Sequence, residues 1–214
     1  MSQGERVAAD GVSGFLHLPA TADTSGAGIV LTHGAGGNCS APLLVAAAER
    51  FTAAGLYALR IDLPFRQRRP KGPPSPSGAA ADRAGLRSAI AALRQRTGGG
   101  LIVGGQSYGG RQASLLLADE PQLAAMLLLF SYPLHPPGKP ERRRTDHFAR
   151  LRVPALFVHG SADPFGTLAE LEDAIAAIPA PTGLLPVDGA GHDLRRGRFD
   201  LAPIVAAALA LLRR

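Results

Sequence analysis

The chain has 214 residues, of which 46% are hydrophobic and 19% are charged, a composition typical of a protein that buries its own core without disulfides or metal. No apolar run approaches the ~20 residues of a membrane span, the first residues MSQGERVAADG lack the order of a secretory signal, and the lone Cys39 cannot form an internal disulfide. We therefore expect a single domain over residues 1–214, located in the cytoplasm.

The positive charge of the chain comes almost wholly from arginine. The formal net charge is +6, and Lys71 and Lys139 are the only lysines. A basic protein attracts anionic partners. Faces that bind nucleic acid, however, usually add exposed aromatic residues, and here aromatic residues make up only 5% with no tryptophan. Nucleic-acid binding is therefore the less favoured reading of this charge.

Predicted strands and helices alternate along the chain. Apolar alternation, short apolar runs and glycine or proline stops predict strands at residues 14–18, 29–32, 56–61, 101–104, 125–130, 154–159 and 182–187. The same signals predict helices at residues 40–54, with Ser40 as N-cap, and at 79–95, 112–118, 168–178 and 201–212. This order predicts an α/β fold with a mostly parallel central sheet and helices on both faces.

Two connections between these elements bear on access to a site. Residues 66–78, RQRRPKGPPSPSG, contain no large apolar side chain, so we expect a mobile loop. Residues 131–152 are about twenty residues rich in proline and arginine, which is too short for a cap domain. The sequence thus predicts an open site without a cap.

The stretch LIVGGQSYGG, residues 101–110, predicts a catalytic centre. A strand runs into Gly105-Gln106-Ser107-Tyr108-Gly109 and a helix follows at once. This strand-turn-helix arrangement lifts the central hydroxyl clear of the sheet, and glycine two residues away on either side leaves room for it. Ser107 is the predicted nucleophile.

Two further strands end close to residues that could activate this serine. Asp163 follows the strand at 154–159 in HGSADPF, and His192 follows the strand at 182–187 in GAGHDL. His192 would take the serine proton, and Asp163 would hold the imidazole in the correct tautomer. Asp188, Asp62 and Asp193 are weaker candidates for the acid. The chain order serine, acid, histidine is that of α/β hydrolases.

The glycine-rich loop after the strand at 29–32 predicts an oxyanion hole. We expect the backbone N–H of Ala35, with that of Gly36 as the alternative, and the N–H of Tyr108 to stabilise a tetrahedral oxyanion. The neighbouring side chains and loops predict substrate contacts at His33, Gly34, Phe65, Arg66, Tyr132 and Phe165. Cys39 is expected to be inert packing, and no Cys/His spacing indicates a metal site.

Five motifs together resemble one known group of proteins. LTHGAGG, GGQSYGGRQAS, SYPLHPPGKPE, LFVHGSADPFG and GAGH are similar to the small dienelactone-hydrolase-like branch of the α/β-hydrolase superfamily, over residues from about 28 to the end. The resemblance implies the α/β-hydrolase fold and the triad. Dienelactone hydrolase itself uses a cysteine nucleophile, and Ser107 departs from that pattern, so the resemblance does not imply its substrate.

These observations predict a serine hydrolase of small esters or thioesters that needs no cofactor. Three arginine clusters, at residues 66–69, 142–144 and 195–198, lie in connections that leave strand carboxyl ends and could favour anionic substrates. The alternatives are a hydrolase-fold interaction or scaffold module with an idle triad, and an anion- or nucleic-acid-binding protein that uses the arginine clusters. We expect no membrane partner and a monomer or homodimer.

Overall fold

The computed structural model describes residues 4–9, 11–20 and 26–213. Within these residues, eight strands form one sheet: β1 (Glu5–Ala9), β2 (Val12–His17), β3 (Gly28–Thr32), β4 (Tyr57–Ile61), β5 (Leu101–Gln106), β6 (Met126–Phe130), β7 (Ala155–Gly160) and β8 (Thr182–Val187). The strand order is β1-β2-β4-β3-β5-β6-β7-β8. β2 pairs antiparallel with β1 and β4, and all other pairs are parallel.

The helices are α1 (Pro42–Ala53), α2 (Pro64–Arg68), α3 (Ala79–Arg94), α4 (Tyr108–Asp119), α5 (Leu168–Ile175) and α6 (Ala202–Leu212). One apolar core lies between the sheet and α3, α4 and α5, and a second lies between the opposite face and α1 and α6. Both sides of the parallel strands are thus covered, which is why they carry continuous apolar runs. The predicted α/β class and the helices on both faces are confirmed.

Most predicted elements lie within a few residues of the observed ones. The structure adds β1, which pairs with β2. The small residues at 19–28 predict a turn before β3, and part of it falls at residues 21–25, outside the described residues. Helix α1 begins one residue after its N-cap Ala41, which makes no side-chain capping bond, so the prediction of Ser40 as the cap is wrong. Pro42 at the first position needs no N–H partner, and this starts the helix instead.

The connection from β6 to β7 contains a single short 3₁₀ turn, Phe148–Arg150, and in the described part of the chain no cap domain is inserted there. The predicted absence of a cap is therefore confirmed. None of the helices in the described ranges is long and apolar enough to cross a lipid bilayer.

Candidate active site

Ser107 lies in a strained turn between β5 and α4. Its backbone angles are φ 50° and ψ −116°, a region that costs energy for a residue with a side chain. A Cβ at Gly105 would lie 2.1 Å from the carbonyl oxygen of Thr32, and a Cβ at Gly109 would lie 2.4 Å from the Thr32 hydroxyl oxygen. Only glycine permits this close approach of turn and strand, which accounts for the spacing of the motif around Ser107.

His192 lies between the serine and a buried carboxylate. Its Nε2 atom is 2.8 Å from Ser107 Oγ, and its Nδ1 atom is 2.8 Å from Asp163 Oδ2. The Asp163 side chain is fully buried, whereas the imidazole is 23% exposed. In the arrangement ready for catalysis, the serine hydroxyl donates to Nε2 and Nδ1–H donates to the carboxylate. The structure therefore brings together the three residues that the sequence predicts as a triad.

Further contacts hold the imidazole in place. The second oxygen of Asp163 accepts a hydrogen bond from the Phe165 N–H at 2.9 Å, and the Phe165 ring stacks on His192 with centroids 4.1 Å apart. The Gln106 side-chain amide donates to the His192 carbonyl at 3.2 Å. Phe165 therefore lies beside His192, and substrate contact by Phe165 stays a prediction. Gln106 was not among the predicted site residues, although it directly precedes Ser107 in the sequence.

The loop after β3 presents free backbone donors beside the serine. The Gly34 carbonyl accepts the Gly37 N–H at 3.0 Å and the His33 Nδ1–H at 2.8 Å. Because C=O and the following N–H point in opposite directions across a trans peptide, the Ala35 N–H is directed away from these bonds. Among the hydrogen bonds of the described residues, none uses the N–H of Ala35, Gly36 or Tyr108. All three predicted oxyanion donors are available.

Two residues predicted to touch substrate are buried instead. His33 is fully buried, and its Nε2 accepts the Leu63 N–H at 3.1 Å while Nδ1 binds Gly34. Burial is the main cause that lowers its pKa, which keeps the ring neutral for this paired role. Tyr132 is 1% exposed, and its hydroxyl donates to the Arg144 carbonyl at 2.6 Å. Substrate contact by His33 and Tyr132 is a wrong prediction, because their position near a strand end does not fix where the side chain points.

Arg66 also differs from its prediction. The residue is 6% exposed, and its guanidinium donates only to backbone carbonyls, including those of Ala35 and Gly37. It is not a free cation at the mouth of the site, so the prediction of substrate contact is wrong.

The hydrogen bonds of Arg66 also order part of the predicted mobile loop at residues 66–78. Arg66 binds the carbonyls of Arg69 and Gly72, and a 3₁₀ turn, Pro76–Gly78, ends the segment. The expectation of a mobile loop over the whole of residues 66–78 is therefore wrong as well.

Phe65 and Gly34 keep positions near the site. Phe65 is 5% exposed and packs edge-on against Tyr108 with ring centroids 5.6 Å apart. It also borders a cavity of about 330 Å³ with Arg68, Arg69, Ser75 and Gly78. A Cβ at Gly34 would lie 3.5 Å from that of Ser107. Substrate contact by Phe65 and Gly34 stays a prediction.

Asp82 also borders the site, although it was not among the predicted site residues. It lies fully buried in α3, where one carboxylate oxygen accepts the Phe65 N–H at 2.9 Å and the other accepts the Tyr108 hydroxyl at 2.7 Å. Burial, followed by this hydrogen bond, raises the pKa of Tyr108. Asp82 thus ties α2 to the turn that carries Ser107. The only signal in the sequence is one acidic residue in the alanine-rich stretch GAAADRAG.

Several predicted rim arginines are engaged elsewhere. Arg143 pairs with Asp173 at 2.6 Å, Arg195 donates to the Asp188 carbonyl at 2.7 Å, and Arg144 donates to the Pro133 carbonyl at 3.2 Å. The predicted basic mouth therefore rests on fewer free guanidinium groups than the sequence indicates.

A second serine-histidine pair lies in the interior. Ser114 Oγ is 2.8 Å from His147 Nε2, but both residues are at most 2% exposed. The Ser114 hydroxyl also donates to the Arg111 carbonyl at 2.9 Å, as a serine within a helix commonly does. Burial, aided by Arg111, lowers the pKa of His147 to about 4. No hydrogen bond among the described residues joins this histidine to a carboxylate, so the pair lacks the acid that His192 has.

Cys39 is buried and free. Burial and the nearby Asp62 raise the pKa of its thiol to about 11, so the thiol stays protonated at neutral pH and is a poor nucleophile. The prediction that Cys39 is inert packing agrees with this environment.

Comparisons with known proteins agree with this geometry. A model of the alpha/beta hydrolase domain matches residues 25–200. The dienelactone hydrolase of Anabaena variabilis is 21% identical with a TM-score of 0.67, covering 92% of this chain and 89% of its own. Est1E of Butyrivibrio proteoclasticus, solved with ferulic acid, is 15% identical with a TM-score of 0.76, covering 99% of this chain and 100% of its own.

A serine hydrolase of Xanthomonas campestris described as lacking a lid is 21% identical with a TM-score of 0.69, covering 95% of this chain and 88% of its own. At these identities the likeness concerns the fold. The domain match and these folds confirm the resemblance that the motifs predict: the chain belongs to the α/β-hydrolase family.

Proposed function

We propose that the protein is a serine hydrolase that cleaves a small ester or thioester through an acyl-enzyme. The observation that carries the proposal is the position of the His192 imidazole, 2.8 Å from both Ser107 Oγ and the buried Asp163 carboxylate. A serine hydroxyl is a weak nucleophile unless a base takes its proton. This imidazole is the group placed to do so.

In the first half of the reaction, Ser107 Oγ attacks the acyl carbon while its proton passes to His192 Nε2. The carbonyl oxygen becomes an oxyanion, which the N–H groups of Tyr108 and of Ala35 or Gly36 stabilise. Asp163 balances the positive charge of the imidazolium and does not itself take the proton. The C–O or C–S bond then breaks, and the leaving group takes the proton from Nε2.

In the second half, a water molecule replaces the leaving group. His192 takes a proton from this water, the hydroxide attacks the acyl carbon, and a second oxyanion forms in the same hole. Ser107 then departs from the acyl group and recovers its proton from Nε2, which releases the free acid. None of these steps needs a cofactor.

The absence of a cap between β6 and β7 supports a site open to small substrates. We propose that the substrate is a small acyl compound that can carry a negative charge, and that the protein acts in the cytoplasm as a monomer or homodimer. Because the chain shares its fold with a protein solved with ferulic acid, esters of aromatic acids are the first substrates to test. Scaffold and nucleic-acid-binding roles remain the alternatives.

Pre-steady-state kinetics with p-nitrophenyl acetate test the proposal. We expect a burst of p-nitrophenol equal to the enzyme concentration when deacylation is the slower step, and loss of the burst in Ser107→Ala and His192→Gln. Removal of a triad residue typically lowers kcat by about 10⁴–10⁶-fold. A folded wild-type protein that hydrolyses neither p-nitrophenyl esters nor the corresponding thioesters would overturn the proposal and favour the scaffold role.

A further inference from the structure

Arg66 is a buried cation whose hydrogen bonds all go to backbone carbonyls, and its guanidinium also lies over the Phe65 ring, 4.9 Å from the ring centroid. Its Nε donates to Gly37 O at 2.7 Å, and its Nη2 donates to Ala35 O at 2.9 Å. The remaining bonds reach Arg69 O and Gly72 O, each at 3.1 Å. No ion pair among the described residues includes Arg66. A buried charge is costly unless it is paired or fully hydrogen-bonded, so four carbonyl dipoles here replace a counter-ion.

Two of these four carbonyls, those of Ala35 and Gly37, belong to the loop that carries the proposed oxyanion donors. The Ala35 carbonyl and the Gly36 N–H share one peptide unit and point in opposite directions. A hydrogen bond from Arg66 to the Ala35 carbonyl therefore directs the Gly36 N–H away from the guanidinium. On the other side of Ala35, the His33 ring and the Gly37 N–H hold the Gly34 carbonyl. Rotation of the Ala35–Gly36 peptide would break the bond from Arg66, and rotation of the Gly34–Ala35 peptide would break the bonds from His33 and Gly37.

Glycine makes this restraint necessary. Gly36 is exposed, and a Cβ there would meet nothing within 4 Å, so packing does not prevent its peptides from rotating. Glycine populates a wider range of backbone conformations than other residues. An oxyanion hole accelerates a reaction only when its donors are already oriented. The Arg66 bonds provide that orientation from one rigid planar group.

We propose that Arg66 is a positioning residue that orients the 35–37 loop for oxyanion stabilisation and fastens it to the 69–72 turn. The inference rests on the proposed Ser107 mechanism. Arg66 touches no reacting atom and acts through the peptides of Ala35 and Gly37.

The test compares Arg66→Met and Arg66→Lys with Arg94→Met. Arg94 is an exposed arginine of α3 that also donates to a backbone carbonyl, that of Leu123, and it lies at the opposite end of the strands. Thermal unfolding first establishes that each variant is folded. Lysine keeps the charge but cannot reach four carbonyls in one plane, so Arg66→Lys provides a milder variant if Arg66→Met does not fold.

With p-nitrophenyl acetate, we expect kcat of both Arg66 variants to fall by about 10- to 100-fold, less than the 10²–10³-fold for outright removal of a donor, because His33 still holds one side of the loop. KM should change little, since the oxyanion forms only in the transition state. The affinity for a trifluoromethyl ketone, which forms a tetrahedral adduct with the serine, should fall in parallel with kcat/KM. Arg94→Met should match the wild type in all three.

Added guanidinium ion, below denaturing concentration, should restore part of the kcat of Arg66→Met and none of that of Ser107→Ala. A purely structural role would lower stability without this separation of kcat from KM. The inference is overturned if a folded Arg66 variant keeps wild-type kcat and trifluoromethyl ketone affinity while the wild type shows its burst. A wild type without a burst would instead contradict the proposed function, so the two failures are distinguishable.

Discussion

The Asp163 carboxylate, fully buried, lies 2.8 Å from Nδ1 of His192. This bond selects the tautomer in which Nε2 faces Ser107 without a proton, ready to accept one. Asp163→Asn keeps the shape of the side chain but removes the charge and favours the wrong tautomer. We expect kcat/KM for p-nitrophenyl acetate to fall by about 10²–10⁴-fold with the fold unchanged.

Asp188→Asn is the control for this prediction. Asp188 is exposed and lies near the same strand ends, but its side chain accepts a hydrogen bond from Ser161 rather than from His192. Its replacement should leave kcat/KM close to that of the wild type. If Asp188→Asn were the more damaging of the two changes, the assignment of Asp163 as the acid would be wrong.

Gly109 should tolerate no side chain. A Cβ there would lie 2.4 Å from the Thr32 hydroxyl oxygen and 2.5 Å from the His33 carbonyl, so Gly109→Ala must displace either the turn or β3. We expect the free energy of unfolding to fall by about 1–3 kcal/mol, measured by urea denaturation. Gly36→Ala is the control, because a Cβ at Gly36 would meet nothing within 4 Å, and it should lower the free energy of unfolding far less. If both variants lost the same free energy of unfolding, the packing described for the turn would be contradicted.

The segment after His192 contains a short left-handed turn. Leu194, Arg195 and Arg196 have φ of 46°, 49° and 53° and are followed by Gly197 at 79°. Each residue with a side chain costs about 1–2 kcal/mol in this region. Arg196 is exposed, so we expect Arg196→Gly to stabilise the protein by about 0.5–1 kcal/mol after the greater entropy of glycine in the unfolded chain is deducted.

Arg50→Gly in α1 should have the opposite sign. Arg50 is exposed within a regular helix, where glycine costs roughly 1 kcal/mol. Chemical denaturation of the two variants measures both values. Destabilisation by Arg196→Gly of the same size as by Arg50→Gly would show that the left-handed turn is not strained in solution.

Buried histidines predict lower stability in acid. Burial, with a contribution from neighbouring arginines, lowers the pKa of His17 and of His147 from 6.5 to about 4. Between these values the unfolded chain binds more protons than the folded one, so stability falls as pH falls from 6.5 towards 4. The melting temperature should drop over this range, and His147→Gln should weaken that dependence. An unchanged pH dependence in His147→Gln would contradict the burial of a neutral imidazole there.

Much of the fold could be predicted from the sequence because the parallel strands carry continuous apolar runs and glycines mark their ends. The spacing of glycines around Ser107 predicted the turn between strand and helix, because only glycine fits at Gly105 and Gly109. Side-chain direction was not predictable. His33 and Arg66 both adjoin predicted site loops, yet both side chains turn inward. The His33 ring accepts a hydrogen bond from the Leu63 N–H, and Arg66 donates to the carbonyls of Ala35 and Gly37. These backbone groups are distant in sequence from the side chains that they bind.

Other features leave no local signal in the sequence. Nothing in the residues Leu194 to Arg196 favours a left-handed turn, which arises where the His192 loop packs on α1. Asp82 acquires its role only when α3 meets the turn after β5. Such contacts depend on how separate elements come together, and a periodic pattern within one element does not encode them.

The most direct test of the central claim is the site at which a fluorophosphonate probe attaches. We expect one adduct per chain, located by peptide mass spectrometry on Ser107, absent in Ser107→Ala and present at the wild-type rate in Ser114→Ala. An adduct on Ser114, or labelling that persists in Ser107→Ala, would contradict the account of Ser107, His192 and Asp163 as the catalytic residues.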